Sequence, residues 1–100
     1  MRRKYSIPQA LLARLLDVSL RSVSALESET VTPGRAARRF KEVKRLCDAL
    51  SEVSKASYVG QWLQLPNEML GGLKPVEALE RGQSDLVWRV VEGLRRGSQL

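Results

Sequence analysis

The chain has 100 residues, 43% of them hydrophobic, and carries 17 Lys and Arg against 11 Asp and Glu, a net charge of +6 at pH 7. That size allows one modest core or two small ones sharing an interface, with a partner or oligomerisation as a natural supplement to stability. A single cysteine and no histidine exclude an internal disulfide and a Cys/His metal site, and no run of about 18 apolar residues reads as a membrane span.

The charge is lopsided. Residues 1–45 hold eleven Lys/Arg against four acids, whereas the remainder holds six against seven. A basic first half beside a near-neutral second half suggests two surfaces for two partners, the first of them anionic. The start, MRRKYSIPQALLARLL, imitates a secretion signal. However, Gln9 and Arg14 interrupt its apolar region and no small-residue cleavage site follows. The expected location is cytoplasmic, with no membrane partner.

Ser6-Ile7-Pro8-Gln9 has the form of a capping box with Pro in the first turn. Leu11, Leu12, Leu15 and Leu16 then recur at amphipathic helical spacing. Asp17-Val18-Ser19 breaks that helix, and Ser19 caps a second one from Leu20 to about Ser28. Val23 and Leu26 face inward on it, leaving Leu20, Arg21, Ser24 and Ala25 outside. Two short helices joined by a tight turn, the second with small or polar outer residues, fit a DNA-reading helix-turn-helix.

The stretch QALLARLLDVSLRSVSALESE resembles the Xre/Cro type of that motif. On this resemblance Ala13 is the small residue at the helix crossing, Val18 the apolar turn residue and Val23 the inward residue of the recognition helix. Glu27 sits where the type often has Glu. Asp17 departs from it, standing where glycine is usual, but Asp tolerates left-handed geometry better than most residues. DNA contact would fall to Ser19, Leu20, Arg21 and Ser24: Leu20 against a thymine methyl, Arg21 on guanine or phosphate, Ser24 on a base edge. Gln9, Arg35, Arg38 and Arg39 are the phosphate candidates, which position without specifying. The competing reading makes these arginines a solvated basic face on a scaffold or dimerisation unit.

Thr32-Pro33-Gly34 punctuates the chain. A long helix from about Arg35 to Val53 follows, with Ala36, Phe40, Val43, Cys47 and Leu50 on one stripe and Leu46 beside it. Cys47 on that stripe reads as a small core residue. No Gly/Ser/Pro tract marks a flexible linker. Residues 1–53 are therefore expected to form the helix-turn-helix and linking helix, and residues 54–100 a second domain. Ser54 is expected to cap a helix to Leu65, with Ala56, Val59, Trp62 and Leu63 apolar and Trp62 a core anchor.

The segment WLQLPNEMLGGLKPVEALERG, Trp62 to Gly82, packs several helix stops and starts together. Pro disfavours helical geometry at Leu65, before Pro66. Asn67 can cap a short turn, Gly71-Gly72 permit exit with positive φ, Pro75 suits the first turn of a new helix and Gly82 closes it. Ser84 is then expected to cap a last helix, Asp85 to about Arg96. Val87, Val90, Val91 and Leu94 share one face, with Leu86 and Trp88 at its margins. Trp88 either seals the core or anchors a protein interface.

Trp62, Leu63, Pro66, Asn67, Leu70, Gly71, Gly72, Pro75, Leu79 and Gly82 resemble the pattern of the C-terminal toxin-binding domain of the Xre/MbcA/ParS antitoxin family. With the last helix, the resemblance spans the second half of the chain. It implies an antitoxin that occludes the active site of a RES-type, NAD-degrading toxin and represses its own operon by binding operator DNA, usually with the toxin. Trp88, Arg89, Glu92, Arg95, Arg96 and Leu100 are the expected toxin contacts, with Glu92 or the Leu100 carboxylate competing for a cationic pyrophosphate pocket. Two other readings remain: a stand-alone Xre-type regulator, and a scaffold that binds toxin without DNA. No paired nucleophile and base, metal constellation or phosphate loop is visible, so neither catalysis nor a cofactor is expected. The expected fold is all-α with six or seven helices, and a homodimer is expected from the half-site logic of helix-turn-helix proteins.

Overall fold

The computed structural model describes residues 2–27 and 34–97. All regular structure among them is helical: α1 (Gln9–Leu16), α2 (Leu20–Glu27), α3 (Arg35–Leu50), α4 (Val59–Leu63), α5 (Pro75–Glu80) and α6 (Ser84–Arg95). Short 3₁₀ turns at Ala56–Tyr58 and Glu68–Leu70 complete the set. The expectation of an all-α fold holds. The side chain expected inward at Leu26, the Thr32-Pro33 punctuation and Leu100 lie outside the described residues.

Helix α1 packs on α2, α3 and α5, while α6 packs on α5 and α3. One buried cluster threads these contacts. It takes Leu11, Leu12, Leu15 and Leu16 from α1, Val23 from α2, and Val43, Leu46, Cys47 and Leu50 from α3. Trp62, Leu63, Val76, Leu79, Val87, Val90 and Val91 supply its other side. The apolar stripes thus sit inward at their helical spacing, and Trp62, at 7% exposure, is buried among them.

Several local expectations hold in detail. The Ser19 hydroxyl accepts the Ser22 N–H at 3.2 Å, capping α2. Asp17 closes α1 in the left-handed region, at φ 57°. Asn67 accepts the Met69 N–H at 2.9 Å and starts the second 3₁₀ turn. Gly71 and Gly72 carry φ of 68° and 92°, which returns the chain so that the Asn67 N–H donates to the Leu73 carbonyl at 3.0 Å. Pro75 opens α5, where the Glu77 carboxylate accepts the Lys74 N–H at 2.8 Å. Gly82, at φ 76°, ends it with a 2.9 Å bond from the Gln83 N–H to the Ala78 carbonyl, which is Schellman geometry.

Three serines behave otherwise. Ser6 is no cap: it lies at φ 53° inside a hooked segment in which the Ile7 N–H donates to the Arg2 carbonyl at 3.0 Å. Pro8 therefore precedes α1, in extended geometry, instead of lying within its first turn. Ser54 faces backwards. Its N–H donates to the Leu50 carbonyl at 3.1 Å, and its hydroxyl donates to the same oxygen at 3.4 Å. It finishes α3 rather than starting α4. That is also why α3 stops at Leu50 and not at Val53: residues 52 and 53 donate three residues back, a tightened final turn. Likewise α4 ends at Leu63, not Leu65, with Leu65 donating to Trp62. Ser84 is the first residue of α6 with Gln83 at its N-cap, and no side chain caps it.

The N-terminal hook is tied to α4 and to α3. Tyr5 and Ile7 are buried, the Gly60 N–H donates to the Tyr5 carbonyl at 2.8 Å, and the Tyr5 hydroxyl donates to the Asp48 carboxylate. That bond holds the Asp48 carboxyl below its ordinary range, helped by Lys44, while burial and then Asp48 push the Tyr5 phenol up. On the opposite side Arg14 of α1 grips Glu80 at the end of α5 with two nitrogens, at 2.8 and 2.9 Å. Both side chains are partly exposed, which limits such a pair to about 0.5–1 kcal/mol.

Candidate functional site

The first candidate surface is the outer side of α2 with the start of α3. Leu20 is 54% exposed at the N-terminal end of α2, and Ser19, Arg21 and Ser24 are exposed beside it. Arg35 reaches the α1–α2 turn, with its guanidinium 3.4 Å from the Asp17 carboxylate. Arg35, at the start of α3, thus lies beside the α1–α2 turn that precedes Ser19. Gln9 is exposed at the first position of α1.

These basic side chains are not equivalent. The Arg39 guanidinium donates twice to the Leu15 carbonyl, at 3.2 and 3.3 Å. It satisfies a carbonyl left open at the end of α1 and lines a hollow of about 220 Å³ with Glu42, Val43 and Leu79. Arg39 is thus engaged within the fold. Arg21, Arg38, Lys41 and Arg45 are exposed. Arg38, Lys41 and Arg45 recur at i, i+3 and i+7, so they form one row along the outer face of α3.

The second candidate surface is α6. Val87, Val90 and Val91 are buried, whereas Leu86, Trp88 and Leu94 are partly buried against the core. Trp88 therefore both packs and shows a face. Arg89 and Arg96 are exposed. Glu92 accepts from Arg95 at 2.8 Å, and Arg95 also lies 3.4 Å from Glu52, which ties the end of α6 to the end of α3. Of the six expected toxin contacts, Trp88, Arg89, Glu92, Arg95 and Arg96 thus share one helix and its exit, and Leu100 lies outside the described residues.

A third surface has no counterpart in the sequence reading. Tyr58, Leu65 and Met69 are exposed large apolar side chains, and with Trp62, Pro66, Asn67 and Glu68 they line a groove of about 370 Å³. The available signal was positional: Leu65 and Met69 flank Pro66-Asn67, in a stretch too short and too tightly turned to bury both. Among the described residues no group of three or more His, Cys, Asp or Glu could hold a metal ion, and no helix is long and apolar enough to cross a membrane.

These features define a small all-α protein whose basic, mixed and apolar surfaces lie on one continuous core. Its sequence is similar to the mycobacterial cidal antitoxin MbcA of Mycobacterium tuberculosis and of Mycobacterium bovis, 29% identical over 84 residues, covering 83% of this chain and 74% of each relative. Its fold is similar to that of a chain in the crystal structure of the M. tuberculosis MbcT–MbcA toxin–antitoxin complex. The TM-score is 0.84, over 99% of this chain and 90% of that one, at 24% identity. No protein-family model matches the chain.

Proposed function

We propose that this chain is an MbcA-type antitoxin, acting by binding and not by catalysis. The observation that carries the reading is the likeness to MbcA along 83% of the chain, supported by a shared fold along 99% of it. The motif from Trp62 to Gly82 adds a physical reason. It builds the α4–α5 corner on which α6 rests, and so presents Trp88, Arg89, Glu92, Arg95 and Arg96 as one edge. In this reading that edge and the following tail, with Leu100, cover the active site of a RES-type toxin and exclude its NAD substrate.

The test is co-expression with the toxin encoded beside the gene, scored by growth and by cellular NAD. The full chain is expected to restore both, and Arg89→Glu and a chain ending at Arg95 to lose protection. Full protection by the shortened chain would exclude a plug made by the tail. Growth arrest by the toxin with NAD unchanged would overturn the assigned toxin chemistry.

The same protein is proposed to bind its operator as a dimer through α2 and the basic row of α3. Exposed Arg21 and Arg38 favour that assignment. Arg38→Ala is expected to weaken operator binding evenly across sequences and to lower the salt slope by about one. Arg21→Ala should weaken the cognate site most. Arg39→Ala should instead lower the unfolding temperature and leave the salt slope in place, because its guanidinium is spent on Leu15. Operator binding without salt dependence would remove the α3 row from the interface.

A further inference from the structure

We infer that Glu52, just beyond α3, is a positioning residue for the toxin-facing edge of α6, acting through Arg95 without touching the toxin itself. The inference rests on the antitoxin reading above and gives one of its residues a different task. The Arg95 guanidinium is divided between two carboxylates: Nη1 donates to Glu92 at 2.8 Å, and Nη2 lies 3.4 Å from Glu52. Arg89 and Arg96 are exposed, and among the described residues neither joins an ion pair. Those two arginines are open to a partner, whereas Arg95 is occupied within the fold.

Helical spacing separates the two kinds of arginine. Arg95 follows Trp88 by seven residues and shares its side of α6; Arg89 and Arg96, also seven apart, share another, with Glu92 between the rows. Val91, three residues after Trp88 and four before Arg95, is buried, so the Trp88–Arg95 side borders the face by which α6 packs on α3. The last turn of α6 has reason to need a hold there. Gly93 weakens it, and Gly97, at φ 88°, ends it. Glu52, by contrast, stands on fixed backbone: its N–H donates to the Ala49 carbonyl at 3.2 Å, and Ser54 closes on Leu50 just after it. A carboxylate on a held turn thus meets a cation on a weakened one, and sets the direction in which the chain leaves α6. The side chains of Arg95 and Glu52 are 38% and 58% exposed, so their pair adds little to global stability. Its effect is confined to the turn it holds.

The test is the affinity of the full chain for the toxin encoded beside the gene, read with amide exchange in the free chain. Glu52→Gln should weaken toxin binding by about two- to fivefold and Glu52→Arg by about tenfold, with helical circular dichroism unchanged. In free Glu52→Gln the amides of residues 95–97 should exchange faster while those of the core stay as in wild type. The double variant Glu52→Arg/Arg95→Glu keeps the wild-type net charge and should bind the toxin more tightly than Arg95→Glu alone. A double variant no better than Arg95→Glu overturns the proposal, since Arg95 would then touch the toxin itself. Wild-type affinity in Glu52→Arg, or unchanged exchange at residues 95–97 in Glu52→Gln, also overturns it. A wild-type chain that does not bind the toxin overturns the antitoxin reading and this role with it; wild-type binding with indifferent Glu52 variants removes only the role given to Glu52.

Discussion

Replacing Gly60 by alanine is expected to lower the stability of the chain by about 3 kcal/mol, a fall in Tm on the order of 15 °C for a domain of this size. Gly60 sits in α4, where sequence alone offers no reason for glycine. A Cβ there would collide with the Ser6 carbonyl group and come within 2.9 Å of the Tyr5 carbonyl oxygen. Those are backbone atoms, so no side chain can swing aside. The hook cannot simply retreat either. Gly60 donates to the Tyr5 carbonyl, and moving residues 5 and 6 would draw Tyr5 and Ile7 out of the core. Gly71→Ala is the control. It faces open space but has φ 68°, so it should cost only about 1 kcal/mol, for conformational strain. Thermal denaturation of both variants decides the matter: a Gly60→Ala loss no larger than that of Gly71→Ala would show that the hook is not clasped to α4.

The second large effect is alkaline. Cys47 is fully buried in α3, and burial, with a smaller push from Asp48, drives its thiol pKa up from 9.0 to about 12. The folded chain therefore keeps the proton that the unfolded chain surrenders near pH 9. Stability from this group is fully present below about pH 9 and drains away as pH rises toward 12, to a limit of about 4 kcal/mol. Tyr5 acts with the same sign at higher pH, since its phenol is also raised. Asp48 has the opposite sign: its lowered pKa gives a contribution present above about pH 4 and lost as pH falls further. Urea unfolding at pH 7 and at about pH 10.5 should differ by about 2 kcal/mol. In Cys47→Ala the alkaline loss should shrink, against a constant packing cost of about 1–2 kcal/mol. An alkaline slope identical in the two proteins would place its origin elsewhere. For the same reason Cys47 should react with thiol reagents at neutral pH only as fast as the fold opens.

Much of the fold was legible because helices bury residues at a fixed local period. The spacing of Leu11, Leu12, Leu15 and Leu16, and of Val87, Val90 and Val91, needs nothing distant to be read. Nor do Ser19, Asn67, Gly71, Pro75 and Gly82, whose conformations follow from their own geometry and that of their immediate neighbours. Ser54 was misread for a definite reason: a serine between two helices can accept from the N–H groups ahead of it or donate to the carbonyls behind it, and here it donates to Leu50. Ser6 was misread because the hook places it at φ 53° before α1, and Ser84 because α6 begins one residue earlier, with Gln83 at its N-cap.

The candidate surfaces divide along the same line. A basic excess in the first 45 residues was visible by inspection. That Arg39 closes α1 through the Leu15 carbonyl, that Arg14 is held by a carboxylate 66 residues away and that Arg38 is left open could not be counted from charge. The apolar groove was hidden for a different reason: Tyr58, Trp62, Leu65 and Met69 recur at helical spacing and so imitate an ordinary buried stripe, but α4 ends at Leu63 and leaves Leu65 and Met69 exposed around the Pro66-Asn67 turn.

The amino-acid sequence by itself determined the helical periods, the stops and starts between Trp62 and Gly82 and the uneven charge, since each depends on residues within a turn of one another. Only the tertiary structure decided which arginines are engaged, why position 60 must lack a side chain and which apolar residues remain outside. Those outcomes depend on backbone and side chains brought together from across the chain, and local patterns carry no record of such approaches.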